Sequence, residues 1–341
     1  GSGLNGSVQA LTVYNGSLIA GGAFSGTDEN AINYIASWDG SAWSALGSGL
    51  NGSVQALTVY NGSLTAGGDF TAAGGTWAYF IASWDGSAWS ALGSGMNSPV
   101  SALIVYNGNL VAGGRFATAG GTNVFGIASW DGSAWSPIGS WMYGSVRALT
   151  VYNGHLIAGG PDWPAGVTTI GNTASWDGSR WSVFGSETNG DVFALIVYND
   201  NLNAGGSFTW AGRASANYIA SWDGSAWSAL GSGMNGDVNA LTEYNGDLIA
   251  GGEFTTAGGK VSVGLAAWTK PCCVLRGDAR LDRAIKISDV TLLVNYIFRT
   301  GPAPACEEHG DINGDGATDL PDLTYLVAYL FQQGPAPVAC P

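Results

Sequence analysis

Gly47–Leu92 reads GSGLNGSVQALTVYNGSLTAGGDFTAAGGTWAYFIASWDGSAWSAL, with apolar residues alternating in four stretches: Val54–Tyr60, Ser63–Phe70, Phe80–Trp84 and Ser87–Leu92. A period of two marks a strand that turns one face to a core. Asn61-Gly62 separates the first two stretches and Asp85-Gly86 the last two. Both dipeptides favour two-residue hairpin turns whose central residues take positive φ. The segment therefore predicts four antiparallel strands in a row.

Trp38, Trp84, Trp130, Trp176, Trp222 and Trp268 stand 46 residues apart without a slip, so the unit is copied six times. A four-stranded unit recurring at about 40–50 residues has the length of a propeller blade. The chain is predicted to be mainly β, a six-bladed β-propeller over residues 1–270, followed by a small α-helical module at 271–341. Each sheet has two apolar faces that only a neighbouring blade can cover. A linear stack would need polar end caps, and the first and sixth copies are as apolar as the inner ones, so a closed ring is expected. After Trp268 the sequence Thr269-Lys270-Pro271-Cys272-Cys273-Val274-Leu275 replaces Asp-Gly and an outermost strand. Either Cys272–Leu275 completes blade six or its edge is open, and an open edge offers unpaired backbone groups to another chain.

The formal charge is −14 and charged residues make up 11% of the chain, too few of them basic for nucleic acid or an anionic membrane to be a natural partner. No apolar run approaches the roughly 20 residues of a membrane span. All four cysteines, Cys272, Cys273, Cys306 and Cys340, fall in the tail. A bond between the adjacent pair would be strained, which leaves two connectivities, each joining Cys272 and Cys273 to Cys306 and Cys340. Paired thiols imply an oxidising, extracellular setting, whereas a zinc site lacks its usual ligand spacing.

The tail is itself a duplication. Asp289–Phe298 (DVTLLVNYIF) aligns with Asp322–Phe331 (DLTYLVAYLF) at an offset of 33, and each segment has helical spacing. Leu293, Tyr296 and Ile297 in one, with Leu326, Tyr329 and Leu330 in the other, are expected to pack the helices together. Before the second helix, Asp311, Asn313, Asp315, Asp319 and Asp322 place side-chain oxygens at loop positions 1, 3, 5, 9 and 12, with Gly316 at position 6 and the Ala317 carbonyl at position 7. That is the donor set of a Ca²⁺ loop. The equivalent first loop keeps Asp278, Asp282 and Asp289 but carries Arg280 and Lys286 at ligand positions. Two cations there are expected to neutralise the carboxylates in place of an ion, leaving one calcium site and one degenerate loop.

Residues 272–341 resemble the type I dockerin family, in particular Cys-Cys-headed modules with Gly-Pro-x-Pro after each helix on secreted bacterial proteins. The resemblance implies a calcium-dependent pair of loop-helix units that docks onto a cohesin-type partner or attaches its cargo to an extracellular assembly. The degenerate first loop departs from the two-calcium pattern and favours a dedicated structural or assembly role. The propeller resembles kelch-type, galactose-oxidase-like repeats through Gly21-Gly22 and through Trp38-Asp39 followed by Trp43. Only the scaffold is implied: residues 1–270 hold no Cys and His155 alone among histidines, so the copper oxidase chemistry of that family has no ligands. A sialidase needs converging arginines, and Arg115, Arg147, Arg180 and Arg213 occupy four different phases of the repeat.

Breaks in the repeat concentrate between the second and third strands. They bring Trp77, Tyr79, Trp163 and Trp210 to one rim, joined by Trp141 and Tyr143 from the connection between blades three and four. Exposed aromatics there suit glycan stacking or a protein interface. No paired acid and base at a common rim position can be named. The sequence therefore predicts a secreted, non-enzymatic structural protein, its rigid propeller attached through the tail to a partner or to the next copy in a fibre or surface layer. A carbohydrate-binding adhesive propeller is the alternative, and a polysaccharide hydrolase or lyase ranks third.

Overall fold

A computed structural model describes residues 3–26, 32–139, 144–165, 168–185, 187–268, 285–299, 310, 312–313, 317–332 and 334–337, with backbone only at 162–165 and 168–170. The chain divides into two compact units, one of Gly1–Glu243 with Leu248–Ala266 and the other of Tyr244–Asp247 with Ala267–Pro341.

In blade two, strands Val54–Tyr60, Ser63–Gly68, Ile81–Trp84 and Trp89–Ala91 are hydrogen-bonded in that order. Blades one, three, four and five repeat the pattern from Ser7–Tyr14, Val100–Tyr106, Ala148–Tyr152 and Val192–Tyr198. Blade six shows three strands among the described residues, Val238–Tyr244, Asp247–Gly252 and Leu265–Trp268. Cys272–Leu275, the candidate for a fourth strand, lies outside the described residues, so the choice between a completed and an open edge falls there. Leu11, Leu57, Leu103, Leu149, Leu195 and Leu241, one from each first strand, line a single central cavity of about 390 Å³. The sheets thus surround one axis, and the fold is a six-bladed β-propeller.

The Asn-Gly turns form as their chemistry predicts: Asn61 and Gly62 take φ of 47° and 79°, and the equivalent pairs in the other blades behave alike. The Asp-Gly turns differ. Trp84 pairs with Trp89, so the loop has four residues rather than two. The Asp85 carboxylate accepts from the Ser87 and Ala88 amides at 2.7 and 2.8 Å and from the Ser87 hydroxyl at 2.8 Å, while Gly86 alone takes positive φ, 105°. The side chain supplies the turn's acceptor, which is why a backbone I′ turn is not needed.

These bonds also set an acid response. The Ala42 amide, then the Ser41 hydroxyl and amide, hold Asp39 down to about 2 from 3.8, and the same contacts at Arg180 and Ser179 hold Asp177 at about 2. Asp85, Asp131 and Asp223 are lowered by equivalent bonds. A depressed folded-state value gives stability that is complete above the unfolded pKa and is lost as pH falls toward the folded one. The melting temperature is expected to hold down to about pH 4 and to decline below it. Replacing all five aspartates with Asn should flatten that decline, as calorimetry across the acid range will test.

Blade-to-blade packing rests on a missing Cβ. A Cβ on Gly67 would lie 2.6 Å from Val100 Cγ1 of the next blade, and Gly21, Gly113, Gly159 and Gly205 meet Val54, Val146, Val192 and Val238 at 2.5, 2.5, 2.7 and 2.5 Å. Only glycine lets the sheets approach this closely. Trp89 Nε1 donates to Leu46 O at 2.9 Å, and Trp135 and Trp181 reach Leu92 and Ile138 at 3.0 and 2.8 Å, tying the outer strands of blades two, three and four to the end of the preceding blade. Phe24, Phe70, Phe116, Phe208 and Phe254 are buried plugs of their blades. In blade four the residue at that phase of the sequence is Asp162, and strands His155–Ala165 and Thr168–Trp176 run on into one long hairpin.

In the second unit, helices span Ile287–Arg299 and Leu320–Phe331. Leu293, Leu323 and Leu326 are buried with Ile312, and Val290, Val294, Ile297, Val327 and Leu330 pack against them. Tyr296 and Tyr329, expected in the stripe, are exposed. The buried face centres on the 290/293/294/297 row, which leaves position 296 roughly a third of a turn away. No helix among the described residues is long and apolar enough to cross a membrane.

Candidate functional site

The rim is present on blade two. Thr76–Trp77 pairs with Ala72–Ala73 in a short hairpin, and Ala78 is buried beneath it. That anchor throws Trp77 and Tyr79 outward, 71% and 44% exposed, with ring centroids 5.9 Å apart and planes 14° from parallel. Two stacked rings make a flat apolar platform. Trp210 is also exposed, but it sits in the first strand of the blade-five hairpin, at the phase that Ala72 holds in blade two, so it is no part of this pair. The Trp163 side chain, Trp141 and Tyr143 lie outside the described residues.

A second site was not anticipated. In blades one, two, three and five the first strand carries a bulge between equivalent positions, as between Val54 and Ala56. The residue at that phase varies: Gln9, Gln55, Ser101, Arg147, Phe193 and Asn239. Bulges re-aim side chains, and here Gln9, Gln55, Arg147 and Phe193 line the central cavity. Gln55 donates to Asp69 Oδ2 at 2.8 Å and accepts from the Ser101 hydroxyl at 3.1 Å. Arg147 lies 3.5 Å from the Asp191 carboxylate and 4.8 Å above the Phe193 ring.

Arg147 also lines a second cavity of about 430 Å³, between blades three and four, with Arg115, Phe116, Phe125 and Pro161. The phase argument against arginine convergence fails for this pair. The second strand of one blade packs against the first strand of the next, and the Val146 amide donates to Gly114 O at 3.1 Å across that junction. Residues at unlike phases thus become neighbours when about 33 positions separate them. Arg180 stays apart, 3.6 Å from Asp177 in its own turn.

In the tail, Asp322 is fully buried; its Oδ1 accepts from the Ile312 and Asn313 amides at 2.7 and 3.0 Å, and its Oδ2 from the Asp319 amide at 2.9 Å. The loop end is therefore folded around a carboxylate, and the oxygen donors at Asn313, Ala317, Asp319 and Asp322 suit a hard cation. Asp311 and Asp315 lie outside the described residues, as do Asp278, Arg280, Asp282 and the four cysteines. Asp289 is buried like its counterpart and accepts from the Lys286 amide at 2.8 Å.

No protein-family model matches the chain, and no curated protein matches its sequence. Among solved structures, the extracellular domain of BT4673, described as a one-component system, from B. thetaiotaomicron is 9% identical, with a TM-score of 0.48 over 82% of this chain and 35% of that one. The chain thus spans about a third of that structure's length. The computationally designed Ika8 protein is 16% identical, with a TM-score of 0.39 over 78% of this chain and 98% of that one.

Proposed function

We propose that the protein is a secreted, non-enzymatic building block of an extracellular assembly: a rigid, kelch-like propeller joined to a partner or to the next copy, with a dockerin-like tail as its attachment module. The observation that carries this reading is the buried Asp322 carboxylate, held by three backbone amides at the twelfth position of an oxygen-rich loop. Ca²⁺ would be held by Asp311, Asn313, Asp315, Asp319, Asp322 and the Ala317 carbonyl, and bound there it would neutralise the clustered carboxylates and rigidify the loop. The chain's own part is to bury Asp322 so that the loop stays tied to the second helix. The first loop, with Arg280 and Lys286 in ligand places, is read as a salt-bridged substitute that holds no ion. The cysteines at 272, 273, 306 and 340 are read as two disulfides of the oxidised module. Calcium titration of the intact chain is expected to show one tight site, and light scattering should show native assemblies becoming smaller in chelator as the links made through the tail are lost. Two tight sites, or assemblies whose size does not change at all in chelator, would count against this reading.

A second reading has its own support in the Trp77–Tyr79 platform and in the Arg115/Arg147 cavity. Together they suit an adhesive propeller that stacks a sugar ring and pairs a carboxylated sugar with guanidinium groups. Trp77→Ala is expected to weaken binding of uronate-containing oligosaccharides about tenfold, equivalent to about 1.4 kcal/mol, as read by calorimetric titration. An unchanged affinity would remove this reading.

A further inference from the structure

Five blade junctions are built alike and the sixth is not. Each first-strand valine from Val54 to Val238 is 0% exposed against the glycine of the preceding blade, but Val8 of blade one is 43% exposed. Leu18 is 36% exposed where its five counterparts, Leu64 through Leu248, are at 0%. On the other side of the seam, Leu265 of blade six is 65% exposed, whereas Ile35, Ile81, Ile127 and Ile219 at its phase are at 1% or less. A Cβ on Gly251 would meet nothing nearer than 3.9 Å, although its five counterparts touch a valine. The expected ring thus closes around the axis without closing this junction: all six first strands line the central cavity, yet the faces of blades six and one do not meet.

We propose that these two faces are an unfilled copy of the blade-blade interface, and that a second copy of this chain fills it, blade one of one molecule seating on blade six of the next. What covers such a face is visible five times over in the molecule itself. The notch at Gly251 has the shape that accepts a valine methyl elsewhere, and Val8 is that methyl's counterpart; Leu265 and Leu18 carry the same apolar chemistry their equivalents bury. The two faces differ, so the contact is heterologous and propagates head to tail, and it ends only where a rotation happens to close. It deepens the assembly reading above by naming the partner and the surface, and does not use the tail.

Sedimentation velocity of the full chain over a range of concentrations tests this with two variants whose altered side chains are already exposed, Leu265→Asp and Val8→Asp. The native chain should form a series of oligomers that grows with concentration and persists in chelator. In chelator, where no link through the tail remains, each variant alone should be monomeric. A mixture of the two should stop at dimers, because each variant keeps the one face the other lacks. Oligomers that dissolve in chelator and ignore both substitutions would overturn this inference and leave tail-mediated assembly standing; a native chain monomeric in calcium and in chelator would overturn both. Closure within one copy is the remaining outcome against it: the native chain would be monomeric at the seam, and Leu265→Asp would lower the melting temperature of the dilute monomer.

Discussion

Phe70→Ala is expected to cost the propeller about 3–5 kcal/mol, the range for truncating a fully buried aromatic side chain. Phe70 is completely buried among Leu50, Val54, Leu64, Ala73, Ala78 and Trp89, residues from three strands and from the short outer hairpin. Its backbone is fixed as well: the Phe80 amide donates to Phe70 O at 2.8 Å, and the Gly68 amide to Phe80 O at 3.1 Å. With the Phe70 backbone held by these bonds next to the paired strands, the site cannot collapse to fill the space, so the cavity contribution adds to the lost transfer free energy. Trp77→Ala, in the outer hairpin of the same blade, removes a larger ring from an exposed position and is expected to change stability by no more than about 0.5 kcal/mol. Urea unfolding followed by tryptophan fluorescence separates the two. A loss below about 1 kcal/mol at Phe70 would mean that the blade core relaxes, contrary to the packing described.

What the sequence makes legible in this fold is whatever local backbone chemistry dictates. Asn61-Gly62 needs positive φ at both residues, and only such pairs supply it cheaply; the alternation around it then sets the first two strands. The Asp85-Gly86 turn was misread in length because an acceptor on the side chain does the work of a backbone hydrogen bond, and dipeptide identity does not distinguish the two. Gly67 could be seen as a strand residue but not as the partner of Val100, since that pair is made across a junction between copies. The same holds at the seam: the apolar character of Val8 and Leu265 is plain in the sequence, but that they fail to bury each other depends on how six sheets divide the circle.

The candidate sites divide along the same line. Trp77 and Tyr79 were legible because they break the repeat where the chain is irregular and alternate about the buried Ala78. The variable lining of the central cavity was not, although its signal is present: in an otherwise near-constant first strand, one phase reads Gln, Gln, Ser, Arg, Phe and Asn in successive copies. A position free to vary inside a conserved strand pattern is one that the core does not constrain, and the bulge explains why. Arg115 and Arg147 escaped notice because phase within a repeat gives a position within a blade, whereas their proximity is between blades.

Asp322→Ala is expected to unfold the second unit while leaving the propeller intact. The carboxylate answers three backbone amides, those of Ile312, Asn313 and Asp319, at the start of the second helix, and Ile312 is itself one of the buried residues that the two helices share. Alanine leaves those donors facing a space from which water is largely excluded, at about 1–3 kcal/mol for each bond left unmade. A unit whose fully covered apolar residues include only Leu293, Ile312, Leu323 and Leu326 among those described has little reserve against such a loss. The far-ultraviolet helical signal should fall, and amide exchange across 320–331 should accelerate to that of an open chain, with exchange in the second strands of the blades unchanged. Asp322→Asn keeps an acceptor at Oδ1 and should retain much of the helix. In the proposed calcium loop it also removes a ligand charge, so calcium affinity should fall in this variant while the helices survive. Full helicity in Asp322→Ala would show that the loop does not hang on this carboxylate, and undiminished calcium binding in Asp322→Asn would show that the ion is held elsewhere.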